Sequence, residues 1–113
     1  MDLTAAQRDA FRRDGFLVLP RLFDAATCRQ LVARADALVE AAPMDELATI
    51  FSAREQASTT DAYFLASGDR IAYFLEEEAV DGTGRLARPK QRAINKIGHA
   101  LHDLDPEFAA FSR

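Results

Sequence analysis

The sequence predicts an α+β fold, in which helices come first and short apolar strands follow. Two observations favour it: an amphipathic helical pattern follows Asp24, and short aromatic or β-branched runs are bounded by turn residues. The chain has 113 residues, 49% of them hydrophobic, which suits one domain over residues 1–113.

The helical signals lie mainly in the first forty residues. Thr4 and Gln7 have the spacing of a capping box, and Gly15 is expected to end that first helix. Asp24 can cap a second helix, which Pro43 must stop because proline cannot continue the hydrogen-bond ladder. Its apolar positions recur at steps of three and four: Cys28, Leu31, Val32, Ala35, Leu38 and Val39.

The strand signals are shorter. Residues 16–19 form an apolar run closed by Pro20 and predict a buried strand. Residues 63–65 and 71–75 flank a turn at residues 67–69 and predict a hairpin, whereas residues 44–61 are interpreted as a connection. Residues 81–84 predict a further turn, and Glu76, Glu77 and Glu78 are interpreted as a solvated strand end.

Charge and composition exclude several classes of partner. The net charge of −4 leaves no surplus of Lys and Arg, so nucleic acid is not an expected partner. No apolar run is long enough to span a bilayer and the first residues are polar, so no membrane partner and a cytoplasmic location are expected. The single cysteine, Cys28, is expected to be a small apolar core residue.

Residues 92–108, RAINKIGHALHDLDPEF, collect the candidate functional side chains. As a strand, this segment would place His99 and His102 on opposite faces, with Lys96 turned away from His99. As a helix, it would bring both histidines to one face, where Asp103 or Asp105 could complete a metal site. The β-branched residues around Gly98 favour a strand, and Asp105 followed by Pro106 favours a helix after it.

Neither metal binding nor nucleophilic catalysis is well supported by these residues. The chain has no H-x-D or H-x-E pair, and His99 with His102 alone makes a poor metal site. Both histidines are therefore interpreted as structural, with a small two-histidine metal enzyme as an open alternative. No serine lies in a Gly-rich elbow, and Cys28 lies on the expected core face.

Lys96 is the residue whose charge is expected to need an anionic partner. In the strand interpretation its amine lies on a face that the alternation would otherwise place inside. A buried ammonium without a counter-charge costs several kcal/mol, on the order of the desolvation of one ion. A protein carboxylate or the carboxylate of a ligand should therefore meet it.

Three segments resemble the N-terminal part of the phytanoyl-CoA dioxygenase family: RRDGFLVLPRLF at 12–23, YFLASGDRIAYFLEEEAVD at 63–81 and AINKIGHALHDLDPEF at 93–108. The resemblance covers most of the chain, and INKIGHALH is its most specific portion. It implies an oxygenase that uses Fe(II) and 2-oxoglutarate, built on a double-stranded β-helix, a jelly-roll barrel with helices outside. This chain would then hold the N-terminal helices and first strands of an incomplete barrel.

The resemblance also implies one site residue. Lys96 matches the family's lysine that contacts a carboxylate of the cosubstrate 2-oxoglutarate. The family's iron ligands, an H-x-D pair and a distant histidine, match nothing in this chain. The chain is therefore expected to be an N-terminal fragment, to be inactive alone, to bind neither Fe(II) nor 2-oxoglutarate tightly, and to self-associate. The complete enzyme would act on a small organic or acyl substrate.

A rival interpretation comes from another class of protein. The chain could be a mostly helical binding module without catalysis, with its last segment an amphipathic helix. Strong helical content with little strand is the expectation that would favour this rival over the oxygenase segment.

Overall fold

A computed structural model describes residues 2–52 and 56–113. The described residues form seven helices and one two-stranded sheet. The helices are α1 Ala5–Asp14, α2 Ala25–Glu40, α3 Met44–Ser52, α4 Gln56–Leu65, α5 Lys90–Ala93, α6 Leu101–Leu104 and α7 Pro106–Phe111. The strands are β1 Ile71–Leu75 and β2 Ile94–His99. Among these helices, none is long and apolar enough to cross a membrane.

The first two helices confirm the capping signals. The Thr4 hydroxyl accepts from the Gln7 backbone N–H, and the Gln7 side chain accepts from the Thr4 backbone N–H. Gly15 ends α1 with a φ of 78°, a left-handed conformation that glycine adopts without strain. The Asp24 carboxylate accepts from the Thr27 backbone N–H and caps α2.

The strand predicted at residues 16–19 is wrong. This segment has no regular secondary structure, and Phe16 and Val18 are 65% and 70% exposed. An apolar run becomes a strand only when a neighbouring strand satisfies its backbone groups and covers its side chains, and neither contact is made here. The radius of gyration of 18.5 Å also exceeds the ~13 Å of a compact chain of this length.

Residues 44–52 and 56–65 are helical, which corrects two predictions. Residues 44–61 are not a connection, because α3 and most of α4 lie within them; residues 53–55 lie outside the described part. Residues 63–65 end α4 instead of forming a strand, so the predicted hairpin with residues 71–75 does not exist. Aromatic content suits a strand, but at this position Tyr63 and Phe64 lie in a helix and contact the Phe74 ring of β1.

The sheet pairs two segments that are distant in sequence. β1 and β2 run antiparallel, with Phe74 opposite Lys96 and Ile71 opposite His99. The predicted strand at 71–75 is confirmed as β1. The predicted strand followed by a helix is also confirmed, since β2 precedes α7 and Asp105 caps α7 ahead of Pro106. The turns at residues 67–69 and 81–84 are also confirmed.

The hydrophobic core lies where α2, α3 and β1 meet. Its buried side chains include Leu38 of α2, Leu47 of α3, and Tyr73 and Leu75 of β1. The first half of α2 lies outside this core, so the prediction for Cys28 is wrong: its side chain is exposed. The spacing of apolar residues identified the helix correctly, but it could not show how far along the helix the covering elements extend.

One ion pair joins α2 to the end of the chain. Arg34 Nε donates to Asp105 Oδ2 at 2.7 Å, and the Asp105 side chain is fully buried. The other carboxylate oxygen accepts from the backbone N–H groups of Glu107 and Phe108 at 3.1 and 3.2 Å. Burial opposes ionisation of Asp105, but these hydrogen bonds and the nearby guanidinium lower its pKa below the ordinary value.

We expect the Arg34–Asp105 pair to make the stability of the chain decrease as the pH falls into the acid range. Replacing Asp105 by Asn keeps a capping oxygen for α7 but removes the charge, so Asp105→Asn should unfold at a temperature several degrees lower at pH 7. Because the folded-state pKa is depressed, the contribution of the ionised carboxylate is present above the ordinary value of 3.8 and is lost as the pH falls through the folded value. Thermal melts followed by circular dichroism from pH 7 to pH 3 should show that the difference in melting temperature between Asp105→Asn and the parent chain becomes smaller below pH 3.8.

The matched control is Asp9→Asn. Asp9 pairs with Arg12 at 3.2 Å, but both side chains are at least 70% exposed, so this pair should contribute little. A melting difference for Asp105→Asn that stays constant down to pH 3, or that equals the difference for Asp9→Asn, would contradict the role assigned to the buried pair.

Candidate functional site

Lys96 lies in the middle of β2, directly opposite Phe74 of β1. Side chains that face each other across an antiparallel pair have Cβ atoms about 5 Å apart, so the register alone brings the lysine and the ring together. The Lys96 Nζ atom lies 4.3 Å from the centroid of the Phe74 ring and 4.9 Å from that of Phe64. The ammonium is therefore held against two aromatic rings.

These rings belong to a row of aromatic contacts that links α3, α4 and β1. Phe74 meets Tyr63 edge to face at 5.5 Å and Phe64 at 5.7 Å, and Tyr63 in turn meets Phe51 at 5.9 Å. Edge-to-face contacts of this kind fix the ring planes as well as the distances. Phe74 is buried, whereas Phe64 is 48% exposed and forms the outer edge of the row.

The surroundings of Lys96 differ from those expected from sequence. The residue is exposed, so its amine does not lie in an interior. Within the described ranges, no carboxylate lies at ion-pair distance from its Nζ atom. Of the two groups that could meet the ammonium, the protein carboxylate is thus not found among residues 2–52 and 56–113. A ligand carboxylate stays a prediction.

Lys90, the other lysine of the chain, has a structural role, because its charge is paired within the protein. Its Nζ atom lies 2.7 Å from Glu40 Oε2 and also donates to the Glu40 backbone oxygen at 2.7 Å. The hydrogen bonds from Lys90 and Gln91 lower the pKa of the Glu40 carboxyl. Lys90 thus ties α5 to α2, whereas among residues 2–52 and 56–113 the charge of Lys96 has aromatic rings and no carboxylate as neighbours.

His99 contacts the same two rings as Lys96. Its imidazole centroid lies 5.3 Å from Phe64 and 5.6 Å from Phe74, and its Nδ1 atom lies 2.8 Å from the Ser67 hydroxyl. The expectation that His99 and Lys96 point to opposite sides is therefore wrong. His99 is the last residue of β2, where regular alternation ends: the Arg70 carbonyl accepts from both the His99 and the Ala100 backbone N–H.

The two histidines do not form a common site. His102 lies in α6 with its Nε2 atom 3.3 Å from Asp103 Oδ2, and both of those side chains are exposed. In the part of the chain that the structure describes, no group of three or more His, Cys, Asp or Glu side chains could hold a metal ion. Glu76, Glu77 and Glu78 are exposed as expected for a solvated strand end, and Glu78 pairs with Arg88 at 2.8 Å.

Sequence reasoning missed two residues of this site, Phe64 and Ser67. The sequence predicts a strand at Phe64 and a turn at Ser67, and neither prediction indicates a site. Ser67 is fully buried, and its hydroxyl donates to the Phe64 carbonyl at 2.5 Å. The one available signal was a small hydroxyl residue just after an apolar segment, a common position for a side chain that bonds the last turn of a helix.

The comparison with protein families identifies what the chain is similar to. A family model described as phytanoyl-CoA dioxygenase (PhyH) matches residues 11–113. A protein named phytanoyl-CoA dioxygenase from Arabidopsis thaliana is 41% identical over 110 residues, which cover 97% of this chain and 38% of that protein. The matched range includes every residue of the site built from Phe64, Ser67, Phe74, Lys96 and His99.

Relatives from other kingdoms give the same result. Phytanoyl-CoA dioxygenase domain-containing protein 1 from Bos taurus is 42% identical over 113 residues, covering 94% of this chain and 38% of the relative. A homolog of that protein from Dictyostelium discoideum is 38% identical over 112 residues, covering 99% of this chain and 40% of the relative. The chain thus spans about two fifths of the length of these curated relatives.

Proposed function

The chain belongs to the phytanoyl-CoA dioxygenase family, and from that premise we propose that it is the N-terminal, cosubstrate-anchoring segment of an oxygenase that uses Fe(II) and 2-oxoglutarate. In the complete enzyme this segment would supply Lys96 as the contact for a carboxylate of 2-oxoglutarate. The organic substrate would be a small organic or acyl compound that is hydroxylated. The double-stranded β-helix is part of the proposal, with β1 and β2 as its first strands.

The observation that carries this proposal is the ammonium of Lys96, which has no ion-pair partner among residues 2–52 and 56–113. The ammonium is held over two rings and has no carboxylate at ion-pair distance among the described residues. It can therefore bind an anionic ligand. The ring contacts also limit the positions of the side chain, which reduces the entropy lost when a ligand binds. A small dicarboxylate fits this chemistry, because one carboxylate can accept from the ammonium while the carbon chain lies against Phe64.

The residues present do not fit the iron. Three protein ligands are needed to leave open positions on a non-haem iron for cosubstrate and oxygen, and the described residues offer no such set. The sequence also contains no H-x-D pair. The role proposed for this chain is therefore to bind and orient the cosubstrate, with no oxidation step assigned to its own side chains.

The described residues contain far more helix than strand, which is the result expected to favour the rival binding module. The family match over residues 11–113 outweighs this result, because it identifies the chain as part of the phytanoyl-CoA dioxygenase family whatever its helical content. The difference between the two hypotheses lies in ligand chemistry. An oxygenase segment should recognise 2-oxoglutarate through Lys96, whereas a binding module has no reason to do so.

The first prediction from this proposal concerns Lys96. Lys96→Met keeps the length and the apolar stem of the side chain but removes the charge, so affinity for 2-oxoglutarate should fall about tenfold, the usual effect of losing a hydrogen bond to a charged group. Because weak binding is expected for this chain alone, the measurement is the change in amide chemical shifts as 2-oxoglutarate is added to millimolar concentration.

The matched control is Lys90→Met, which removes the only other lysine of the chain. This change breaks the pair with Glu40 but leaves the charge near the aromatic rings, so it should not change the affinity. Equal binding of 2-oxoglutarate by the parent chain and Lys96→Met would refute the assignment of Lys96.

The second prediction concerns turnover. The purified chain, supplied with Fe(II), ascorbate, oxygen and 2-oxoglutarate, should release succinate at the rate of free Fe(II) alone, because a coordinating triad is lacking. Succinate is measured by mass spectrometry against a sample without protein. Release well above that background, and abolished by His99→Ala or His102→Ala, would instead support the small metal enzyme that uses both histidines.

The third prediction concerns self-association. Large apolar side chains are exposed along the segment after α1 and at the end of α4: Phe16, Val18, Leu22, Phe23, Phe64 and Leu65. Exposed large apolar side chains favour association with other copies. Sedimentation velocity should show a sedimentation coefficient that rises with concentration, and Phe16→Ser with Val18→Ser should reduce that rise. A single monomeric species for the parent chain at high concentration would contradict this expectation.

A further inference from the structure

We infer that His99 is a second anion-binding residue of the Lys96 site, and that protonation of its Nε2 atom strengthens the binding of a small carboxylate ligand there. This inference rests on the proposed function, because it concerns the same ligand. Nothing in the resemblance assigns His99 a role beyond structure. The case depends on the hydrogen bonds of Ser67 and on the rings that His99 and Lys96 share.

The hydrogen bonds of Ser67 determine which imidazole nitrogen carries the proton. A serine hydroxyl has one hydrogen, and Ser67 donates it to the Phe64 carbonyl at 2.5 Å. The oxygen of Ser67 can then only accept from His99 Nδ1 at 2.8 Å. The neutral imidazole therefore carries its hydrogen on Nδ1 and has a lone pair on Nε2, and the protonated imidazole has an N–H donor on Nε2.

The same bond fixes the direction of Nε2. Nδ1 and Nε2 point to opposite edges of an imidazole ring, and Nδ1 points to Ser67, which is fully buried. His99 is itself an exposed residue, so Nε2 lies on the side of the ring that faces away from the buried serine. No hydrogen-bond partner for Nε2 is found among residues 2–52 and 56–113.

The two aromatic rings bring the His99 imidazole and the Lys96 ammonium into one cluster. Phe64 and Phe74 each contact both the Lys96 Nζ atom and the His99 imidazole. Phe64 and Phe74 thus provide one apolar surface that a cation and an imidazole both contact. A carboxylate that binds Lys96 above that surface gains a second donor when His99 is protonated.

The charged groups on the elements around His99 define what else can respond to pH. Asp61 lies on α4, one turn before Phe64, and Asp69 pairs with Arg70 at 3.7 Å just before β1. On the other side, α6 carries the pair of His102 and Asp103. Histidine is the side chain whose charge ordinarily changes between about pH 5 and pH 8. His102 is thus the one other histidine that an experiment must control.

The experiment compares 2-oxoglutarate binding at pH 6 and pH 8 in the full chain, His99→Asn and His102→Asn, at constant ionic strength. Asparagine at position 99 keeps an amide donor for Ser67 but has no group equivalent to Nε2. We expect binding about threefold tighter at pH 6 than at pH 8 in the parent chain, which corresponds to one partly exposed charge pair. His102→Asn should keep this pH dependence, and His99→Asn should lose it.

A second readout depends on proton linkage and not on affinity. If the ligand binds the protonated imidazole more tightly, binding must take up protons near neutral pH by the same coupling. Calorimetry in two buffers of different ionisation enthalpy measures that uptake, which should vanish in His99→Asn. Nitrogen chemical shifts of the ring at pH 8 should show hydrogen on Nδ1 in the parent chain, with this preference reduced in Ser67→Ala.

The outcomes separate this inference from the proposed function. Binding that requires Lys96 but is independent of pH, or unaffected by His99→Asn, overturns the role of His99 and leaves the cosubstrate anchor in place. Binding that does not require Lys96 overturns the anchor and with it the role of His99. A pH dependence that is lost in His102→Asn and kept in His99→Asn also overturns the inference, because the wrong imidazole would be responsible.

Discussion

The antiparallel pairing of β1 with β2 is the constraint on which the candidate site depends. Its register places Phe74 across from Lys96 and brings His99 to the end of the sheet, near the turn that follows α4. Side chains alternate along a strand, so a slip by one residue would move Lys96 to the opposite face and away from the rings. Four consecutive β1 residues, Ala72 to Leu75, are buried, so both faces of β1 are covered by the rest of the fold.

The energies of the contacts explain why Lys96 can hold its position and still accept a ligand. A lysine over an exposed aromatic ring gains about 0.5–1 kcal/mol, whereas a hydrogen bond to a charged group contributes about 1.5–3 kcal/mol. The rings thus limit the positions of the ammonium but leave its hydrogen-bond donors available for a ligand. Lys90 is the opposite case, since Glu40 already gives it both a carboxylate and a backbone oxygen.

Sequence reasoning succeeded where local chemistry decides the structure. The caps at Thr4, Asp24 and Asp105 act through side-chain bonds to the next few residues, and each can be read from spacing alone. It failed at residues 16–19, at residues 63–65 and at Cys28, because burial and strand pairing depend on elements distant in sequence. The strand that carries Lys96 is predictable because its β-branched residues are close in sequence. Its aromatic neighbours are not predictable, because they come from elements distant in sequence.

The two histidines show how the surroundings of a side chain decide its chemistry. His99 and His102 are three residues apart, yet only His99 is bonded to a buried hydroxyl and flanked by rings. His102 pairs with Asp103 on an exposed helical turn, where water competes for both groups. A fixed imidazole loses little freedom when a ligand binds, whereas a solvated one must first be ordered. The physical case for a ligand-binding role therefore favours His99, although composition and spacing do not distinguish the two residues.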